Sequence, residues 1–157
     1  MITDIDNSWK RDSDGLGVWE HRGKVAIAGF GHSPVDRRWD EVNLETTLGA
    51  YSLLACMQAV EDAGMSLDEI DGVVCCPTTI SGDSGGSASN WAPRPYFDPP
   101  YDTEWGLTRV NAQWLIDNLG LKNVKFAPSA APTISEMVGL ASQAVGDGLC
   151  NNCLMIY

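Results

Sequence analysis

Cysteine is missing from one long internal stretch of this chain: none of the five stands between Cys76 and Cys150. Positive charge is also scarce. Ten Lys and Arg face 21 Asp and Glu, a formal net charge of −11, which argues against a nucleic-acid partner because phosphate binding needs a basic face. No apolar run reaches the roughly 18–20 residues needed to span a bilayer. The opening MITDIDNSWKRDSDG lacks the basic-then-apolar pattern of a secretory signal, so the cytoplasm is the expected compartment. An odd number of cysteines without such a signal argues against a disulfide framework.

What is present suffices for one domain with a sizeable core, in 157 residues of ordinary apolar content. Residues 1–22 are polar and form an extension, with Trp9 and Trp19 either docking on a surface or lying in a loose tail. KVAIAGFG (Lys24–Gly31) has the composition of a buried strand. A helix is predicted over Leu44–Ala63, with Leu44, Leu48, Tyr51 and Ala55 at helical spacing and Gly64 as terminator. Ser66 and Glu69 stand at capping-box spacing. GVVCCPT (Gly72–Thr78) is a second buried strand stopped at Pro77, and a Gly/Ser-rich and then Pro/aromatic stretch follows it. A helix from Leu107 to near Gly120 comes next, then a strand over Asn123–Ala127. The stripe Ile134, Met137, Val138, Ala141, Ala144, Val145 marks a last helix, and Asn152–Tyr157 a last apolar strand. The order β-α-β-α-β-α-β predicts an α/β fold, a mostly parallel sheet flanked by helices.

Several motifs invite chemistry. Gly29-Phe30-Gly31 follows the first predicted strand, but Pro34 stands where a dinucleotide fingerprint needs its third glycine, and a loop separates the motif from the helix. His32 lies just past that strand end, where α/β sheets place catalytic groups; a hydrogen-bonded loop histidine is the plainer alternative. Arg37 and Arg38 suit an anion or open solvent. Cys150-Asn-Asn-Cys153 has CxxC spacing but follows a helix instead of starting one, so buried, inert thiols compete with metal or redox chemistry. Ser129 and Thr133 flank the start of the last helix, where free N–H groups favour an oxyanion or are capped by one of these hydroxyls. The aromatic stretch Trp91, Tyr96, Phe97, Tyr101, Trp105 either lines a ligand site or packs over the domain's own edge.

GKVAIAGFGHSP, EDAGMSLDEIDGVVCCP and ASQAVGDGLCNNCLMIY together, over residues 23–157, resemble the N-terminal half of the thiolase superfamily, nearest its sterol-carrier and lipid-transfer branch. That resemblance implies a five-layered αβαβα fold of two similar halves, of which this chain holds four strands of the first; a longer polypeptide or another chain is expected to complete it. In thiolases a CSTG or CSSG cysteine opens the helix expected here after Phe126. Counting back from Gly148 and from Gln143 lands on Ala131, in Ala131-Pro132-Thr133-Ile134. A methyl group forms no acyl-enzyme. Relatives without the cysteine are similar to aldolases that cleave a β-hydroxyacyl-CoA and work with a small OB-fold, zinc-ribbon partner of the DUF35 type. The resemblance therefore implies an acyl-CoA substrate, with coenzyme A as part of that substrate and no bound cofactor or metal. Ser129, Thr133 and His32 are the expected substrate-binding residues, around a vacated nucleophile position at Ala131. A homodimer or a heteromer with the zinc-ribbon protein is implied, for retro-aldol chemistry on a bulky, steroid-like ester. A non-catalytic thiolase-fold scaffold subunit and a fragment of an acetyl-CoA acetyltransferase are the alternatives.

Overall fold

The computed structural model describes residues 19–35, 43–76, 78–79, 109–128 and 133–157. The architecture is α/β. Helix α1 (Leu48–Asp62) leads to strand β1 (Gly72–Cys75). Two short strands, β2 (Thr78–Thr79) and β3 (Arg109–Val110), pair antiparallel. Helix α2 (Ala112–Leu119), helix α3 (Ile134–Gly146) and strand β4 (Cys153–Ile156) complete the order. Strands β1 and β4 are parallel neighbours, with Gly72 opposite Cys153 and Cys75 opposite Ile156. On the other side of β1 the predicted strand around Phe126 is reduced to a single parallel bridge to Gly72, with Val73 N–H donating to the Phe126 carbonyl at 2.8 Å.

Local chemistry explains the helix ends. Asn43 accepts from Glu45 N–H and opens a 3-10 turn over Leu44–Thr46; Thr47 then accepts from Ala50 N–H and starts α1, four residues later than the apolar spacing suggests. Gly64 takes a left-handed φ of 66° after α1, so that Met65 N–H closes on the Val60 carbonyl. Glu69 reaches back to both the N–H and the hydroxyl of Ser66, the pair expected from its spacing, here around a 3-10 turn. Asn111 caps α2 through Trp114 N–H, and the left-handed Gly120 ends it. Residues 109–110, expected to be helical, instead form β3 before that cap.

The core lies between β1 and the helices. Val73 and Leu115 are fully buried, joined by Cys56, Val60, Ile70, Val110, Leu119 and Leu154 on one face of the sheet. Val74, Met137 and Ala141 form a smaller cluster on the other, beneath α3. β1 is buried at all four positions, as a strand covered on both faces should be.

The sequence expectation fails at Lys24–Gly31. This stretch forms no strand and lies outside the sheet. Its two glycines fit it against α1: a Cβ on Gly29 would sit 2.2 Å from the Ala59 carbonyl oxygen, and one on Gly31 2.1 Å from that of Ala55. Phe30 N–H donates to Asp62 at 2.9 Å and His32 N–H to Gln58 at 3.3 Å, so helix side chains take the place of a neighbouring strand. Among the described residues no helix is long and apolar enough to cross a membrane.

Asp71 ties the sheet lanes together at their amino ends. Its buried carboxylate accepts from the N–H groups of Asn151 (2.7 Å) and Asn152 (2.8 Å) and from the Asn151 amide (3.0 Å), with Lys125 Nζ at 3.5 Å. Its carbonyl accepts from Lys125 N–H and Phe126 N–H. Burial works against the charge, but these donors and the Lys125 ammonium together hold the carboxyl below its usual range. A depressed native pKa means the stabilisation is present above the unfolded carboxyl pKa of about 3.9 and is lost as pH falls through the native value. Asp71→Ala, which removes the acceptor of two backbone N–H groups and the partner of the Asn151 amide, should lower the unfolding free energy by about 1–3 kcal/mol in urea titrations at neutral pH. The gap between wild type and variant should close as the solution is acidified below that window; a constant gap would contradict this account.

Candidate functional site

In parallel α/β sheets, ligands gather outside the carboxyl ends of the strands. A cleft of about 710 Å³ lies at that end of β4. One wall is the segment from Ile27 to Val35, which includes His32. Another is the face of α1 bearing Leu48, Tyr51, Ser52, Ala55 and Cys56. The amino-terminal half of α3, through Ile134, Met137 and Val138, and the strand end Met155–Tyr157 close the rest. The lining is mostly apolar, with a few polar groups at its rim, as small-molecule sites usually are.

The structure places the predicted site residues unequally. His32 is exposed at the cleft; one ring nitrogen lies 3.2 Å from the Ser33 carbonyl, and the ring is 6.0 Å from that of Phe30. Thr133 is the N-cap of α3. Its hydroxyl accepts from Glu136 N–H (3.2 Å) and its own N–H donates to the Glu136 carboxylate (3.1 Å), a full capping box. Ile134, the next residue, lines the cleft, so the start of α3 and the His32 segment do share one cavity. Ser129 and Ala131 lie outside the described residues, as do Arg37, Arg38 and the aromatic stretch from Trp91 to Trp105.

Sequence reasoning missed Cys56, Tyr51 and Ser52 as cleft residues. The apolar spacing of α1 was legible, but spacing alone does not tell a face packed on the core from a face lining a cavity. Cys56 is the thiol in this lining, and burial pushes its pKa up to about 12. Cys75, buried outside this lining, has its thiol 3.1 Å from the Cys76 carbonyl and 3.8 Å from that of Val110, and burial with the neighbouring Cys76 and Cys56 raises it to about 12 as well. Cys76 packs half-buried beside Val74 and Met137. In the CxxC turn, Cys150 is raised by burial and by the Asp71 carboxylate, and Cys153 is raised to about 12 by burial and Cys150. For Cys150 and Cys153 the upward shift favours the inert alternative of the two open from the sequence.

A second polar cluster holds the chain near its described start. Trp19 Nε1–H donates to Gln143 at 2.7 Å, and Gln143 donates to both carboxylate oxygens of Asp147 at 3.0 Å. His21 Nε2 meets Asp147 at 2.8 Å and Glu20 at 3.5 Å. The Glu20, His21 and Asp147 donor atoms lie within 4.8 Å of one another, a spacing a metal ion tolerates, but Gln143 and His21 already engage Asp147. The cluster is an anchor of the chain onto the end of α3.

No family model matches the chain, and neither a curated protein nor a solved structure matches it.

A thiol with a pKa near 12 is ionised to only about 1 part in 100,000 at pH 7. Iodoacetamide should therefore leave Cys56, Cys75 and Cys153 unmodified in the native protein while alkylating all of them in urea. Peptide mapping of the modified cysteines reads this directly, and rapid native labelling of Cys56 would restore a thiol nucleophile to the cleft.

Proposed function

We propose that this chain is a thiolase-like subunit that makes or breaks carbon–carbon bonds in acyl-CoA thioesters without a cysteine nucleophile. Its leading form is retro-aldol cleavage of a bulky, steroid-like β-hydroxyacyl-CoA, carried out with an OB-fold, zinc-ribbon partner of the DUF35 type. The observation that carries the reading is the apolar cleft of about 710 Å³ beside the start of α3, whose lining thiol, Cys56, is held protonated. The α/β order and the parallel β1–β4 pair fit the first half of a thiolase fold. No cysteine stands in residues 77–149, so the usual attacking group is missing from the sequence just before α3, at Ala131.

Retro-aldol cleavage needs no acyl-enzyme. A base takes the β-hydroxyl proton, the Cα–Cβ bond breaks, and its electron pair passes into the thioester as an enolate. Protonation at Cα then releases a shorter acyl-CoA alongside an aldehyde or ketone. His32 is the described cleft residue with the chemistry of such a base. Ile134 brings the start of α3 to the cleft, but the Thr133–Glu136 cap occupies that helix end with a carboxylate, so the oxyanion donors come from elsewhere. The remaining groups belong to the second half of the fold or to the partner.

A second reading, a non-catalytic binding subunit, draws on one observation: Phe30 and Val35 beside the cleft are 71% and 97% exposed, as contact residues for another chain would be.

The test incubates the complete protein with a bulky β-hydroxyacyl-CoA, alone and with the zinc-ribbon protein. Release of a carbonyl product with no acyl group retained on the protein is expected, and His32→Ala should slow it about 10²–10⁴-fold. No product under either condition favours the binding subunit. Covalent acylation of a cysteine by a CoA-thioester analogue favours an acetyltransferase.

A further inference from the structure

His32 lines the cleft from a stretch of chain that lies outside the sheet. Helix α1 holds that stretch, and the contacts follow a register. Each step of two residues along the segment moves the contact four residues back along the helix. A Cβ on Gly29 would meet Ala59 and Ala63, and one on Gly31 would meet Ala55 and Ala59. Phe30 N–H donates to Asp62 at 2.9 Å, and His32 N–H donates to Gln58 at 3.3 Å. Two residues of extended chain span roughly 6.6 Å and four residues of helix rise roughly 6 Å, so one turn of α1 matches one repeat of the segment.

This register ends at the imidazole. Before the ring, Gly31 is pressed on α1 and the His32 N–H is committed to Gln58. Beside it, the Phe30 ring lies 6.0 Å away at a tilt of 35°. After it, the Ser33 carbonyl lies 3.2 Å from Nδ1. A carbonyl only accepts, so the nitrogen facing it carries the hydrogen. The opposite tautomer would set two lone pairs against each other. In the neutral ring Nε2 is then the bare, accepting nitrogen, because the bond made by one ring nitrogen decides the state of the other.

We infer that Gln58 is a positioning residue that, together with the Ser33 carbonyl, holds His32 as its Nδ1–H tautomer and leaves Nε2 as the atom that takes up a proton. The catalytic meaning of this rests on the reading of His32 as the base in the reaction proposed above; the tautomer itself does not. In that reaction the β-hydroxyl proton passes to Nε2, and the hydrogen on Nδ1 stays shared with the Ser33 carbonyl.

Long-range proton–nitrogen NMR spectra of the complete protein without substrate read the tautomer directly, at mildly alkaline pH where an imidazole is neutral. His32→Asn assigns the signals. The Nδ1–H form should make up most of His32 and exceed its share in the urea-unfolded chain. Gln58→Ala should move that share toward the unfolded value, whereas Gln58→Glu, which keeps an accepting oxygen, should retain it. A majority of the Nε2–H form in the wild type, or a share unmoved by Gln58→Ala, overturns the inference. In the retro-aldol assay Gln58→Ala should lower kcat about 10-fold and leave KM within about 2-fold, and Gln58→Glu should recover most of the loss. An unchanged kcat in Gln58→Ala overturns the positioning role. If the wild type releases no carbonyl product, the proposed reaction fails, and the spectra, taken without substrate, still decide the tautomer.

Discussion

One buried carboxylate organises the part of the molecule on which the rest is built. Asp71 sits immediately before β1 and reaches the turn that launches β4 through its side chain. The Asp71 main-chain carbonyl accepts from the N–H groups of Lys125 and Phe126. A parallel pair has no hairpin to set its register, so the register has to be imposed at the ends of the strands. Asp71 does this for β1 against β4 by fixing Asn151 and Asn152, and Gly72 beside it leaves room for the sulfurs of the CxxC turn. A Cβ at residue 72 would lie 2.7 Å from Cys150 Sγ and 3.2 Å from Cys153 Sγ. The cleft at the opposite, carboxyl ends of these strands inherits its shape from this clamp.

The same tight packing decides the chemistry of the thiols. Sulfurs pressed against a buried strand and a carboxylate lose water and keep their protons, which is the reverse of what a nucleophile requires. Cys56, Cys75, Cys150 and Cys153 are placed as packing residues, in α1, at β1 and at the β4 turn. Any chemistry in the cleft falls to oxygen and nitrogen groups. Glu136 also takes part here: its carboxylate completes the cap of α3 and places a negative charge at the helix start, where an anionic ligand group would otherwise be drawn.

Much of the fold was legible because local chemistry specifies it. Gly64 and Gly120 end helices, Ser66 and Glu69 cap a turn, and the apolar run at Gly72–Cys75 is a strand buried on both faces. Other features were set by competition that a pattern does not display. Leu44 fits the apolar spacing of α1, yet Asn43 and Thr47 are successive caps, and the second one wins the helix. KVAIAGFG has the composition of a strand, but a strand is defined by its neighbour, and here the glycines offer α1 a closer fit than the sheet edge does. The stripe Leu48, Tyr51, Ala55 was visible as a face but not as the wall of a cavity, and Cys56 was therefore not seen as a cleft residue.

Charge constrains what the cleft can hold. Among the described residues no Lys or Arg lines it, and the chain as a whole carries a formal −11. An apolar acyl group fits such a surface, whereas the phosphates of a coenzyme A handle do not, since each would be brought toward like charge without a cation to meet it. On the proposed reading, the acyl portion occupies the cleft and the nucleotide must be neutralised elsewhere. Arg37 and Arg38, which follow the His32 segment directly in sequence, are one source of cations; a second domain or partner chain is the other. On that reading a polyanionic thioester needs a basic surface set beside the cleft, because the described lining offers it no cation.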